Sequence, residues 1–167
     1  MKTQINQLPN SLNYIIQIHQ KINSWVAQKL GPTVFCYGEK KECWNISTNE
    51  LLSYPEKSVG KSLGLFLNEQ GMEPLAKAEY HDVQHILFNY SMSFVDEVAL
   101  QFFLRGNGIK TIATLLTCTG AWFILPFHWN YLKKSYSKGQ HYKNVSVLNH
   151  KNILNENLEQ LKISLLK

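Results

Sequence analysis

The chain has 167 residues, 44% of them hydrophobic and 12% aromatic, which excludes a disordered polymer and suffices for one domain with its own core. Its net charge of +5 is unevenly spread: residues 1–97 hold eight lysines against ten acids, whereas residues 98–155 hold six lysines, Arg105 and no acid. A basic segment of that kind calls for an anionic partner, and with one arginine against sixteen lysines and no helix-turn-helix or zinc-finger pattern, nucleic acid ranks below a membrane surface.

The start of the chain, "MKTQINQLPNSLNYIIQIHQ", has no apolar run, no small-residue cleavage pattern and no arginine. A cytoplasmic protein with no signal or transit peptide is therefore expected. Cys36, Cys43 and Cys118 form neither a disulfide framework nor a zinc knuckle, which points to a reducing compartment.

Taken in order, "SLNYIIQIHQKINSWVAQKLGP" predicts a helix, with Leu12, Ile15, Ile16, Ile22 and Val26 at helical spacing and Gly31-Pro32 as its stop. Residues 33–50 hold a short irregular or strand segment. A turn follows at "YPEK", then a short helix over Leu63–Glu69, closed by Gly71 and Pro74. Another helix is expected over Leu75–Asn89. Ser93 starts the next, with Asp96 as its capping-box partner and Val95, Val98, Ala99, Phe102 and Phe103 as its apolar stripe. Further helices are placed at about 110–123 and 153–166. The fold class is all-α, with residues 1–167 forming a single compact helical domain.

"YHDVQHILFNYSMSFVDE", Tyr80 to Glu97, contains both aspartates of the chain and two of its six histidines. At about 100° per residue, His85 lies roughly 40° from His81, Asn89 roughly 80° and Asp82 roughly 100°. Val83, Ile86, Leu87 and Tyr90 occupy the opposite side. Histidines at i and i+4 let two imidazoles reach one ion, and Asp82 could be a third ligand or orient an imidazole from behind. Glu97 is near enough in sequence to return over the site. The competing reading is a solvated helix face, with Asn89 as a C-cap, Asp96 as a cap and Glu97 as a dipole partner. On the first reading the motif, facing away from its own apolar stripe, should be open to water unless something covers it. A zinc-protease helix fits poorly, because Asp82 is one methylene shorter than the usual glutamate base. An HD-type phosphohydrolase would need an upstream histidine and a downstream aspartate; only His19 lies upstream, and no aspartate follows Asp96.

The signature H-D-x-x-H, eleven residues, then E is present as His81-Asp82-Val83-Gln84-His85 and Glu97. In this it resembles the Coq-four family of ubiquinone (coenzyme Q) biosynthesis. "YPEKSVGKSLGLFLNEQGMEP" is similar to that family's upstream landmarks, and the likeness spans about residues 51–139. Family members usually carry glycine where this chain has Asp96, and arginines where it has Lys77 and Glu79. The resemblance implies an all-helical, often dimeric protein that sits on membranes and binds a polyprenyl lipid. It implies a divalent metal on His81, Asp82, His85 and Glu97, which would also be the catalytic residues. The associated chemistry is oxidative decarboxylation of a prenylated hydroxybenzoate ring, in which a hydroxyl replaces the carboxyl group. A scaffold role among other quinone-biosynthesis proteins is also implied. Two imidazoles and two carboxylates suit zinc, or a redox metal such as iron, manganese or cobalt.

Thr111 to Trp129 runs nineteen residues without a formal charge. That length permits a membrane span, but four threonines, Gly120, Pro126 and His128 make it a poor one, and a helix buried in the core is the preferred alternative. Trp122, Phe123, Phe127, Trp129 and Tyr131 lead into Lys133, Lys134, Lys138 and Lys143. Aromatics followed by lysines are what an interfacial segment shows. The expected protein is thus a metal-binding enzyme, peripheral on the inner face of the membrane. The alternative is a non-catalytic prenyl-lipid-binding or scaffold protein.

Overall fold

The computed structural model describes residues 43–167, so the helix expected near the N-terminus and most of the segment at 33–50 lie outside the described residues. What it describes is a helical domain with two isolated backbone bridges and no strand among the described residues. The helices are α1 (Thr48–Leu52), α2 (Val59–Gln70), α3 (Glu79–Phe88), α4 (Phe94–Gly106), α5 (Ile112–Ile124), α6 (Trp129–Gln140) and α7 (Leu158–Ser164). Short 3-10 turns lie at Pro126–His128, Val145–Val147 and Asn152–Asn155.

The helix ends follow from local chemistry. Ser47, Ser58, Ser93, Thr111 and Asn157 each accept a backbone N–H of the first turn that follows, which satisfies donors a helix start otherwise leaves unpaired. Gly71 ends α2 at φ 63°, a left-handed conformation that costs glycine little. Asn89 ends α3 in the same region at φ 56°, so the C-cap expected of it is present. The turn before α3 occupies residues 75–78, where Ala78 N–H donates to the Leu75 carbonyl at 2.8 Å, and α3 therefore starts later than Leu75.

Two expectations needed correction. The last helix does not run unbroken over 153–166: Val59 N–H donates to the Glu156 carbonyl and Leu158 N–H to the Lys57 carbonyl, both at 2.9 Å. These bonds straighten the chain between the 3-10 turn and α7. Residues 129–140, expected as the flank of an interfacial segment, form the helix α6. Its buried stripe, Leu132, Ser135 and Gly139, has helical spacing but little apolar content.

The core forms where α4 meets α3 and α6. Phe88 and Phe103 stack with ring centroids 4.2 Å apart, and Tyr142 meets both edge-on. The α4–α6 crossing is close because glycine lies on each side: a Cβ at Gly139 would fall 2.1 Å from the Phe103 carbonyl oxygen, and one at Gly106 would fall 2.0 Å from that of Tyr136. Asn107 seals the end of the crossing, sharing its Nδ2 hydrogens among the carbonyls of Gly139, Tyr142 and Lys143 and accepting the Val145 N–H.

Candidate metal centre

The central histidines sit on α3, a helix buried on every side, with all of its residues except Tyr80 buried. The motif is not open to water, because other helices cover it, which is the exception that expectation allowed. The polar side of α3 is covered: the Phe66 ring from α2 stacks on His85 at 5.9 Å, and the first turn of α4 brings Glu97 over it. The His85 side chain is 0% exposed, His81 10% and Glu97 20%. A helical wheel treats one helix alone, and the second layer is what decides burial here.

Three donors converge. His81 Nε2 lies 3.1 Å from Glu97 Oε2, His85 Nε2 lies 3.1 Å from Glu97 Oε1, and the two Nε2 atoms are 3.2 Å apart. One ligand atom from each residue falls within 4.8 Å of the others. The other ring nitrogen of His85 is occupied: Nδ1 lies 3.2 Å from the Tyr90 carbonyl oxygen. A carbonyl only accepts, so Nδ1 carries the hydrogen, and in neutral His85 the lone pair is on Nε2, facing the cluster. That lone pair then meets a carboxylate oxygen and a second imidazole. Only a proton or a cation can satisfy such a meeting.

The proton balance shows the same demand. Burial opposes charge on His85, but hydrogen bonding to Glu97 and its negative charge outweigh this and raise the imidazole above its ordinary value. Burial likewise opposes the Glu97 anion, yet bonds from His81 and His85 bring it down to about 2. Two imidazoles and a carboxylate form the His2Glu set of catalytic zinc and the two-histidine, one-carboxylate set of non-haem iron. The residues fit a divalent cation.

Asp82 stands outside this group of three. Its Oδ2 accepts the Leu75 N–H at 3.3 Å, so its first task is to hold the turn that precedes α3. Burial pushes its carboxyl up to about 6, against the pull of that N–H and of the two nearby histidines. Of the four residues expected as ligands, the structure gathers His81, His85 and Glu97 and sets Asp82 beside them.

Asp96 is not a capping-box partner. Ser93 does accept the Asp96 N–H at 3.3 Å, but the Asp96 carboxylate turns to Ser91 and Tyr131. Glu79, where family members usually carry arginine, is a buried acid. Its Oε1 accepts from the Trp44 N–H at 2.8 Å and from the Cys43 thiol at 3.2 Å, fixing the chain that leads into α1.

The expected interfacial residues divide. Trp122, Phe123 and Phe127 are 60%, 78% and 77% exposed, alongside Ile112, Leu115 and Leu116 on α5. A core helix is therefore the wrong description of α5, whose buried residues are Thr114 and Ala121. Trp129 is half-buried, edge-on to Phe102 and Trp122. Tyr131 is exposed at its ring while its hydroxyl is bonded. Lys133 lies over the Trp129 ring at 5.7 Å, and Lys134 is exposed. Lys138 does not belong with them: its Nζ turns inward, donates to the Phe88 carbonyl at 2.5 Å and lies over Tyr90. It caps the C-terminal end of α3, where a cation is favoured. No single helix among the described residues is long and apolar enough to cross a membrane; α5 and Pro126–Gln140 pass that test only as a pair bent by 104°.

No family model matches the chain, and no curated protein matches it. A solved structure does. It is a protein of Nostoc punctiforme that has been proposed to act in ubiquinone biosynthesis, with a TM-score of 0.58 over 89% of this chain and 81% of that one. This chain shares its fold. Sequence identity is 14%, so the likeness concerns backbone architecture, in agreement with the resemblance drawn from the signature.

Proposed function

We propose that the protein acts in ubiquinone biosynthesis as a peripheral membrane enzyme, holding a divalent cation on His81, His85 and Glu97 and converting a polyprenylated hydroxybenzoate by oxidative decarboxylation. The observation that carries this reading is the convergence of the three donors in a buried cluster, with the His85 tautomer set by Tyr90. The fold of the Nostoc punctiforme protein supports the pathway.

A divalent cation held there would supply Lewis acidity toward a ring carboxylate or phenolate, and a redox-active one such as iron, manganese or cobalt would also pass electrons to dioxygen, the two-electron oxidant that is reduced to hydrogen peroxide as a hydroxyl replaces the carboxyl group and carbon dioxide leaves. The chain's own residues do the rest. His81 and His85 would each offer a ring nitrogen to the cation, and Glu97 offers a carboxylate that stays charged at any physiological pH. Asp82, with its carboxyl near pH 6, is placed to hold or release a proton beside the ring. Burial by α2 and α4 keeps water from the cluster.

The exposed apolar face of α5 is the membrane contact in this reading. Trp122, Phe123 and Phe127 enter the interface while Lys133 and Lys134 meet anionic headgroups, each worth roughly 1 kcal/mol near such a surface. The prenyl tail then reaches the protein from the bilayer. Dimer formation and contact with other quinone-biosynthesis proteins belong to the same proposal.

Elemental analysis of protein purified from its native host tests the metal. Stoichiometric metal in the wild type, lost in His81→Ala and His85→Ala, is expected; equal metal in all three refutes the site. Conversion of a prenylated hydroxybenzoate by the loaded protein tests the chemistry. The exposed apolar face also suits a non-catalytic prenyl-lipid carrier or scaffold, which lipid binding undiminished in His81→Ala, without turnover in the wild type, would establish.

A further inference from the structure

We propose that Asp96 is a positioning residue for the cation held by His81, His85 and Glu97, and that Tyr131 of α6 locks it in that role. The proposal rests on the cation reading given above and concerns how its ligands are kept in place.

Asp96 uses its whole carboxylate. Oδ2 accepts the Ser91 N–H at 2.9 Å and the Ser91 hydroxyl at 2.5 Å, and Oδ1 accepts the Tyr131 hydroxyl at 2.6 Å. Helix capping does not require these bonds, because Ser93 already caps α4 through its own hydroxyl. Their position in the chain explains them. Ser91 follows Tyr90, whose carbonyl holds His85 Nδ1, and Glu97 follows Asp96 in the first turn of α4. One carboxylate therefore ties the anchor of one ligand to the backbone of another, across the turn that joins α3 to α4.

Tyr131 adds a third element. The cluster takes no ligand from α6, yet α6 reaches the Asp96 carboxylate through this hydroxyl, as Lys138 of the same helix reaches the far end of α3. Loss of the bond leaves Glu97 attached to α4 but frees the first turn of α4 to shift against α3. A coordinated ion tolerates donor displacements of only about 0.2 Å, and loss of a supporting hydrogen bond around a metal site typically costs about 10–100-fold in affinity.

The test is titration of the metal-free full-length chain with zinc and with cobalt, for the wild type, Asp96→Ala, Tyr131→Phe and His81→Ala. Thermal midpoints are measured without metal. Asp96→Ala is expected to weaken zinc about tenfold, and Tyr131→Phe about threefold, the worth of one exposed hydrogen bond. Both should alter the visible spectrum of bound cobalt, which reports ligand geometry and which a merely structural role would not move. Wild-type affinity and spectrum in both variants overturn the proposal, whatever their thermal midpoints. Should Asp96→Ala not fold, Tyr131→Phe decides alone. His81→Ala separates the two levels: if it binds cobalt as the wild type does, the cation site itself is wrong. If it loses cobalt while the other two variants match the wild type, only the positioning role falls.

Discussion

Replacing Gly139 with alanine adds one methyl group at the crossing on which α4, and with it Glu97, is held. The new Cβ would sit 2.1 Å from the Phe103 carbonyl oxygen and 2.9 Å from the Asn107 nitrogen, where ordinary contact begins at 3.4 Å. Both neighbours are backbone, so no side chain can swing away and the helices must part by about 1.3 Å, the shortfall in the closer contact. Overpacking of this kind costs about 1–3 kcal/mol, and more where the backbone must move. The parting also strains the Asn107 bonds to the carbonyls of Gly139, Tyr142 and Lys143. Alanine returns about 1 kcal/mol through its better helix propensity. From the upper end of that range a net loss of about 2 kcal/mol follows, or about 4–8 °C in thermal midpoint for a chain of this size. Thermal and urea unfolding followed by circular dichroism measure it. Gly106→Ala should behave alike, and the double variant should lose less than the sum, because both substitutions force the same separation. An unchanged or raised midpoint in Gly139→Ala would refute the close crossing.

The metal centre predicts opposite pH trends in the metal-free protein. Glu97 has its pKa depressed to about 2, so its contribution is present above the ordinary glutamate value and is lost as pH falls toward 2; in Glu97→Gln, denaturant midpoints should show a shallower acid loss. His85 has its pKa raised, so its contribution is full below the ordinary histidine value and is lost as pH rises through the folded one. Zinc requires that nitrogen deprotonated, so added zinc should raise the thermal midpoint more at pH 8 than at pH 6; an equal rise would contradict the assignment. Phe123→Glu with Phe127→Glu should abolish sedimentation with anionic vesicles without lowering the thermal midpoint, since both rings are exposed. Lys133→Glu with Lys134→Glu should remove the salt-sensitive part of that binding, whereas Lys138→Met should instead destabilise the fold by uncapping α3.

The sequence by itself determined the parts of this protein that depend on neighbours along the chain. Serines at 47, 58 and 93 cap the helices that follow them because a hydroxyl reaches only two or three residues ahead. Gly71 and Asn89 stop helices because they tolerate a left-handed turn. The i, i+4 spacing of His81 and His85 was enough to put two imidazoles side by side, and the eleven intervening residues were enough to return Glu97 to them. Tertiary structure alone decided the rest, because it depends on what packs from a distance. Burial of the polar side of α3 comes from Phe66 and from α4, which no helical wheel contains. The assignment of Asp82 to the Leu75 N–H, and of Asp96 to Ser91 and Tyr131, depends on where two turns and a third helix come to rest. α6 carries little hydrophobic signal because its buried stripe is Leu132, Ser135 and Gly139, and its close approach to α4 is backbone against glycine. The converse holds for α5, whose apolar sequence looks like a core helix until the fold leaves its aromatic face uncovered.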